Sequence, residues 1–252
     1  MNKQLGVALW ETLGKQFCQV FFYGYFCQMK ITNQKLEFWE SNFREKQTMW
    51  GFEAADSTYM ALDLFRKNGL KKILIPGFGY GRNAKLFFDN GMDVTGIEIS
   101  GTAIELAKKH FGETAKLYHG SVNDMPFDNE LYDGIFCYAL IHLLNIRERK
   151  KLIADCFRQL KPGGYMVFST IFKEDALYGK GKQLSKDRFE RIKGVKLFFY
   201  DEDSIKREFD CYGLTGIQGI DEPVRDGKSR PPMKFTVIIC KKPHNNIRNN
   251  YG

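Results

Sequence analysis

No segment of this sequence is apolar for long enough to cross a bilayer, which takes about 20 consecutive apolar residues. The longest candidate, Phe17 to Met29, is broken by Gln19, Gly24 and Gln28. It also lacks the small-residue cleavage site that follows a basic start in a secretory signal. We expect residues 1–30 to form an apolar helical extension, packed on the domain or against a second subunit, and Met29 offers an alternative start. The oligomeric state stays open. Histidine is scarce, with four residues, and none of the six cysteines (Cys18, Cys27, Cys137, Cys156, Cys211, Cys240) forms a C-x-x-C pair. That excludes the common zinc and dithiol motifs, and no metal-ligand cluster is expected. Several of the cysteines sit in apolar runs and read as buried free thiols, which suits a reducing cytoplasm. Internal repeats and long linkers are absent. A strong charge run is absent too: the net charge is +8, but Arg147-Glu148-Arg149-Lys150-Lys151 and Lys180-Gly181-Lys182 are short or interrupted. They read as solvated surface before they read as a nucleic-acid footprint.

What is present suits one main domain. The chain has 252 residues with 22 phenylalanines, enough for a single aromatic-rich core. Residues 33 to 69 read as helix, with Leu36, Trp39 and Phe43 on one face and Gly69 as the stop. Short apolar runs then alternate with helical segments: Lys72–Ile75, Asp93–Ile97, Ala115–Tyr118, Tyr132–Tyr138 and Tyr165–Phe168. The helix over Arg147–Leu160 is the clearest, with Leu152, Ile153, Cys156, Phe157 and Leu160 at helical spacing. Such alternation predicts a parallel sheet covered on both faces. The end differs. A helix over Asp201–Tyr212 stops at Gly213, and strands near Leu214–Asp221 and Lys234–Cys240 form a hairpin, so the sheet should finish antiparallel. Residues 243–252 are polar and read as a disordered tail.

The strongest local signal is Ile73-Leu74-Ile75-Pro76-Gly77-Phe78-Gly79-Tyr80-Gly81-Arg82-Asn83. An apolar strand runs into glycines, which permit a tight turn and close approach of a ligand, and then into a helix start that favours an anion. Arg82 stands where a dinucleotide fingerprint needs its third glycine. Glu98 follows at the end of the second strand, where a carboxylate can accept from ribose hydroxyls; the alternative is a helix-start acid beside Ser100. The loop Gly120-Ser121-Val122-Asn123-Asp124-Met125-Pro126-Phe127 has a polar half and an apolar half, which suits the edge and face of an adenine ring.

In this order, from about Trp39 to Lys242, the segments resemble the class I S-adenosylmethionine-dependent methyltransferases. Within that group the chain looks like bacterial small-molecule enzymes related to tellurite-resistance and thiopurine methyltransferases. The resemblance implies an α/β fold: a Rossmann-like three-layer sandwich with a mostly parallel seven-stranded sheet and an antiparallel last strand. The domain would span residues 31–242, with a lid-like insertion at about 172–200. It implies S-adenosylmethionine as cofactor and S-adenosylhomocysteine as product. Gly77, Phe78 and Gly79 would pass under the methionine part, and Glu98 would hold the ribose with Ile99 against the adenine. Ser121 and Val122 would meet the adenine edge, Cys137 and Tyr138 would line the methionine side, and Trp39 or Trp50 would close over the cofactor. Two positions depart from the family. Ile75 stands where the first strand usually carries an acid, and Ser121 where the adenine loop usually has Asp.

The resemblance implies in-line transfer of a sulfonium methyl to a small-molecule acceptor, with no metal. His142, just beyond the fourth strand, is the candidate general base, able in principle to titrate near neutral pH; the other reading is a packing histidine. A nucleic-acid acceptor is disfavoured, because Cys137-Tyr138-Ala139-Leu140 replaces the Pro-Pro-aromatic motif used on nucleobase amines, and Pro231-Pro232 lies far downstream. The rivals are a nucleic-acid methyltransferase and an NAD-dependent oxidoreductase, which predicts a third glycine near position 82 and a different sheet end.

Overall fold

A computed structural model of the chain describes residues 36–48, 50–222 and 232–244. The expected N-terminal extension, and the tail from residue 245, lie outside them. Helix α1 runs through 36–46 and α2 spans Asp56–Lys67. Five strands follow: β1 (Lys72–Pro76), β2 (Asp93–Glu98), β3 (Lys116–His119), β4 (Tyr132–Tyr138) and β5 (Leu160–Ile171). They alternate with α3 (Ala84–Asp89), α4 (Gly101–Phe111) and α5 (Ile146–Gln159). A meander of β6 (Lys182–Ser185), β7 (Arg188–Ile192) and β8 (Val195–Phe198) comes next, then α6 (Glu202–Phe209) and the hairpin β9 (Leu214–Glu222) and β10 (Met233–Lys241).

The large sheet has seven strands in the order β3-β2-β1-β4-β5-β10-β9. Strands β1 to β5 are mutually parallel, and β10 enters antiparallel between β5 and β9. The order reverses between β1 and β4, so the crevice for a ligand opens outside their carboxyl ends. Burial explains the strand sequences: Ile73, Leu74 and Ile75 of β1 are all inside, because both faces of a central parallel strand are covered. Phe65, Phe87 and Ala107 from α2, α3 and α4 pack on one face. Leu152 and Cys156 of α5, with Ile205 and Phe209 of α6, pack on the other.

The helix starts are set by side chains. Asn145 and Glu148 form a capping box on α5, and Asp201 and Ser204 form one on α6. Between α5 and α6 a buried ion pair locks the second face. Arg149 donates to Glu208 through Nη2 (2.8 Å) and Nε (3.1 Å), and the Tyr200 hydroxyl donates to the same carboxylate at 2.8 Å.

Two expectations change. Residues 33–69 do not form one continuous helical run; the chain leaves the helix after residue 46, with positive φ at Gln47 and Gly51. Residues 172–200, expected as a lid-like insertion, carry a three-stranded antiparallel sheet. Its Phe189, Leu197 and Phe199 are buried against Ile171 and Phe235, and Lys173 bridges Asp187 (2.9 Å) and Asp201.

The polar anchor of helix α1 is Glu40, beside the packing of Phe43 on Tyr80 and Ala103. Glu40 accepts from the Ser100 hydroxyl at 2.6 Å and from the Thr102 N–H and hydroxyl. Ser100 is itself the cap of α4, accepting from the Ala103 N–H, so the carboxylate sits at the positive end of α4. Burial alone would raise the Glu40 pKa, but the hydrogen bonds from Ser100 and Thr102 outweigh it and hold the group below its usual value. Ionised Glu40 therefore stabilises the docked helix above the unfolded carboxyl pKa of about 4.3, and this is lost as the pH falls through the lowered folded value. Glu40→Ala is expected to destabilise the fold by about 1–2 kcal/mol in urea titration, with a change in Trp39 and Trp50 fluorescence. Unchanged stability and emission would show that α1 is held otherwise.

Candidate functional site

The site grows from the end of β1. Gly77, Gly79 and Gly81 have φ of 73°, 57° and 85°. At Gly81 a Cβ would fall 2.2 Å from the Phe111 ring, and at Gly77 one would meet Leu140 at 3.1 Å. The turn is thus left-handed and closely approached, and only glycine satisfies both demands. The N–H groups of Gly77 and Phe78 donate to the Ile97 carbonyl at 2.9 and 3.0 Å. The Phe78 side chain turns away into the core, filling the space left by Gly81 and Gly96. Its place at the site is therefore taken by backbone alone. Ile75 is likewise a core residue, 3% exposed, so no polar group from β1 faces the turn.

Glu98 brings the turn and β2 together. Its Oε2 accepts from the Gly79 N–H at 2.7 Å, and its Oε1 accepts from the N–H groups of Ile99 and Ser100, both at 2.9 Å. Burial raises its pKa, and the three backbone donors oppose that rise. The helix-start reading was half of the answer, since Ser100 caps α4 while Glu98 holds the turn. The Gly120 N–H donates to the Glu98 carbonyl at 2.9 Å, which sets the next loop alongside. There Ser121 accepts from the Asn123 N–H at 3.2 Å, Val122 enters the core, and Asn123 Oδ1 is buried without a partner. Ile99 is half-buried, and its carbonyl faces His119 at 3.1 Å.

The far side of the turn is aromatic. Trp50 stacks on Tyr80 at 6.4 Å between centroids, and Trp39 and Phe43 complete the group at 6.1–6.5 Å. The turn also anchors the chain ahead of α2. Tyr80 donates to the Gly51 carbonyl (2.7 Å), Arg82 Nε to the Glu53 carbonyl (2.6 Å), and Asn83 Oδ1 accepts from the Ala55 N–H (3.0 Å). These bonds explain the break between α1 and α2, and none was legible in local sequence. Arg82 fills the position of a dinucleotide-binding glycine with a side chain that is 9% exposed and tied to the backbone. Together with the antiparallel β10, that sets aside the oxidoreductase reading.

Beyond β4 the picture differs from the expectation. Cys137 is fully buried among α5 side chains, its pKa raised by that burial, so its thiol does not line the crevice. Tyr138 is half-buried between Phe136 and Phe235, with the Arg82 guanidinium 5.9 Å from its ring centre. Ala139 has φ of 51°, a left-handed conformation that costs a non-glycine residue about 1–2 kcal/mol, and it swings Leu140 onto Gly77. His142 is 6% exposed, and burial pushes its pKa down to about 3. Its Nδ1 lies 3.1 Å from the Thr170 hydroxyl and accepts from the Ile171 N–H at 3.4 Å. With Nδ1 an acceptor, the ring proton belongs on Nε2. A neutral imidazole with that tautomer is a hydrogen-bond donor at Nε2 and a weak base, which favours the packing reading of His142 over the general base.

Beside the crevice, a cavity of about 290 Å³ lies between α1, the segment after β4, and the β6-β7-β8 sheet. Trp39 and Leu143 form part of its wall, as does Arg188. Among the described residues no helix is long and apolar enough to cross a membrane.

Residues 74–168 match the methyltransferase domain family. With the turn, the carboxylate and the sheet order, that match marks a methyltransferase domain, and the fold is that of the class I S-adenosylmethionine-dependent methyltransferases. Among solved structures, the 1,6-didemethyltoxoflavin-N1-methyltransferase of Burkholderia thailandensis, with bound 1,6-didemethyltoxoflavin and S-adenosylhomocysteine, superposes with a TM-score of 0.66 at 16% identity. The match covers 85% of this chain and 90% of that one. TehB from Haemophilus influenzae gives a TM-score of 0.57 at 16% identity, over 81% and 67% of the two chains. Among sequence relatives, the tRNA N(3)-cytidine methyltransferase METTL2 of Danio rerio is 26% identical over 68% of this chain and 53% of its own length. A ubiquinone biosynthesis O-methyltransferase of Vibrio vulnificus is 31% identical over 43% and 48% of the respective lengths. The chain thus spans about half the length of the curated relatives it matches.

Because His142 is buried neutral, only the unfolded chain takes its proton as the pH falls from about 6.5 toward the folded value. Stability is held above that window and lost within it. His142→Gln is expected to flatten the decline between neutral and mildly acidic pH in urea titrations. Nitrogen-15 shifts of the wild-type ring should show a single Nε2-protonated tautomer from neutral pH down to mildly acidic pH; a titration near neutrality would reverse the assignment.

Proposed function

We propose that this chain transfers the methyl group of S-adenosylmethionine to a small-molecule acceptor. One observation carries the reading: a buried carboxylate, Glu98, meets the glycine turn at 2.7 Å beside the strand-order reversal, and a cavity opens next to it. The donor set fits the cofactor. Gly77 to Gly79 present backbone free of Cβ atoms to the amino-acid tail. Glu98 uses three of roughly four acceptor positions on backbone donors, leaving room on Oε2 for a ribose hydroxyl. Asn123 Oδ1, buried and unpartnered, supplies an acceptor for the adenine amino group near Ser121 and Val122. Ile99 offers an apolar surface to the ring. Trp39 and Trp50 cover the turn from the α1 side, and Tyr138 borders the methionine end. Cys137 contributes through its backbone.

When bound, the cofactor supplies a methyl group already activated as a sulfonium. The protein's work is then alignment and exclusion of water. The Leu140 side chain packs against Gly77 and closes that side of the crevice. His142, neutral with its proton on Nε2, orients by donating a hydrogen bond and does not collect the acceptor's proton. The domain comprises residues 31–242, with the β6-β7-β8 sheet roofing the acceptor side. The described cysteines are all free thiols, three of them buried, which favours a reducing, cytoplasmic setting.

Calorimetry with S-adenosylhomocysteine should show one site, and Glu98→Ala should weaken it by about 2–3 kcal/mol, roughly a hundredfold. Absence of heat with either S-adenosylmethionine or S-adenosylhomocysteine at millimolar concentration would refute the cofactor reading. Methyl-labelled S-adenosylmethionine offered alongside total tRNA and a small-molecule extract should label the extract; label in tRNA would replace the acceptor assignment.

A further inference from the structure

The cavity beside the crevice carries a charge that the fold does not neutralise. Arg188, at the start of β7, lines it together with Phe38, Trp39, Leu143 and Lys196. Arg188 Nε is buried and makes no hydrogen bond. Burial and the neighbouring Arg149 both depress its pKa, and the acid that acts the other way is Glu148. Glu148 is already occupied, accepting from the Asn145 N–H at 2.7 Å and from Asn123 at 3.3 Å. Arg149 shows the contrast. It lies close by, is more deeply buried, and has a full carboxylate partner in Glu208. A half-buried guanidinium whose Nε has no acceptor is costly, and among the described residues no ion pair to Arg188 is formed. The remaining walls are mostly apolar, and the Phe38 and Trp39 rings meet edge to face at 5.2 Å. Phe38 also closes over the β7–β8 turn at Gly194. Trp39 belongs both to this wall and to the aromatic group over the glycine turn, so the cavity and the crevice share a side chain.

We propose that Arg188 is the specificity-determining residue of the acceptor cavity, and that the acceptor is a small apolar ring system bearing a carboxylate. The guanidinium fork pairs with the carboxylate, the aromatic and aliphatic walls take the ring, and the methyl-accepting end points toward the Trp39 side that borders the crevice. Lys196 adds a second positive charge on the same wall. This rests on the methyltransferase reading for its purpose, but the binding preference is measurable without turnover.

The test uses the full chain saturated with S-adenosylhomocysteine, and the matched probes 4-hydroxybenzoate against 4-hydroxybenzamide and indole-3-carboxylate against indole-3-carboxamide. Ligand-observed NMR titration should show each acid binding about tenfold or more tighter than its amide, as a charge-assisted pair in a shielded site requires. Arg188→Met, which keeps the stem and removes the charge, should erase that difference while S-adenosylhomocysteine binds as in the wild type. Arg188→Lys should restore part of it. Equal binding of acids and amides, a preference that survives Arg188→Met, or no binding of any probe at millimolar concentration would each overturn the assignment. A protein that prefers the acids but gives no heat with S-adenosylhomocysteine would retain this anion site and lose the methyltransferase reading.

Discussion

A carboxylate taken out of water has to be met by donors, and the architecture around Glu98 follows from that requirement. An ionised group buried alone would cost several kcal/mol. Three backbone N–H groups answer it, one from the glycine turn and two from the entry to α4. Those donors exist only if β1 and β2 lie side by side in register, with Pro76 opposite Ile97, and only if the turn adopts left-handed angles. The same contact therefore fixes the strand pair, the turn and the start of α4. The cofactor crevice is the volume left above it.

Outward from this centre, each layer is held by polar bonds to backbone. Tyr80, Arg82 and Asn83 draw residues 50–55 over the turn. Glu40 then seats α1 on α4, which brings Trp39 to the edge of the crevice and Phe38 to the β7–β8 turn. On the opposite face, the Arg149–Glu208–Tyr200 cluster ties α5 and α6 to the end of the small sheet. The acceptor cavity sits where these two systems meet. Its walls come from α1, the segment after β4 and the small sheet, three parts of the chain that no local sequence rule would place together.

Much of the framework was legible in the chain. The five parallel strands, the closing hairpin and the helices ahead of β5 and β9 are encoded by short-range periodicity and by glycines that stop helices. The glycine turn and Glu98 were legible for the same reason, because steric freedom at glycine and a carboxylate at a strand end are local properties. What depends on distant partners was not legible. Phe78 belongs to the turn by its backbone, while its ring fills the hollow left by Gly81 and Gly96. His142 looked titratable, and burial beside Thr170 removes that property. Residues 172–200 could be marked only as an insertion, and contacts with Ile171 and Phe235 hold them as a sheet.

By itself, then, the order of residues determined the α/β class, the strand sequence and the turn-plus-carboxylate pair, since each follows from stereochemistry within a few residues. Tertiary structure alone decided which side chains face the crevice, which ionisable groups are neutral, and that the Arg188 Nε is buried without an acceptor. Solvation and pairing are properties of the three-dimensional neighbourhood. A guanidinium paired with Glu208 and one whose Nε meets no acceptor are written with the same letter.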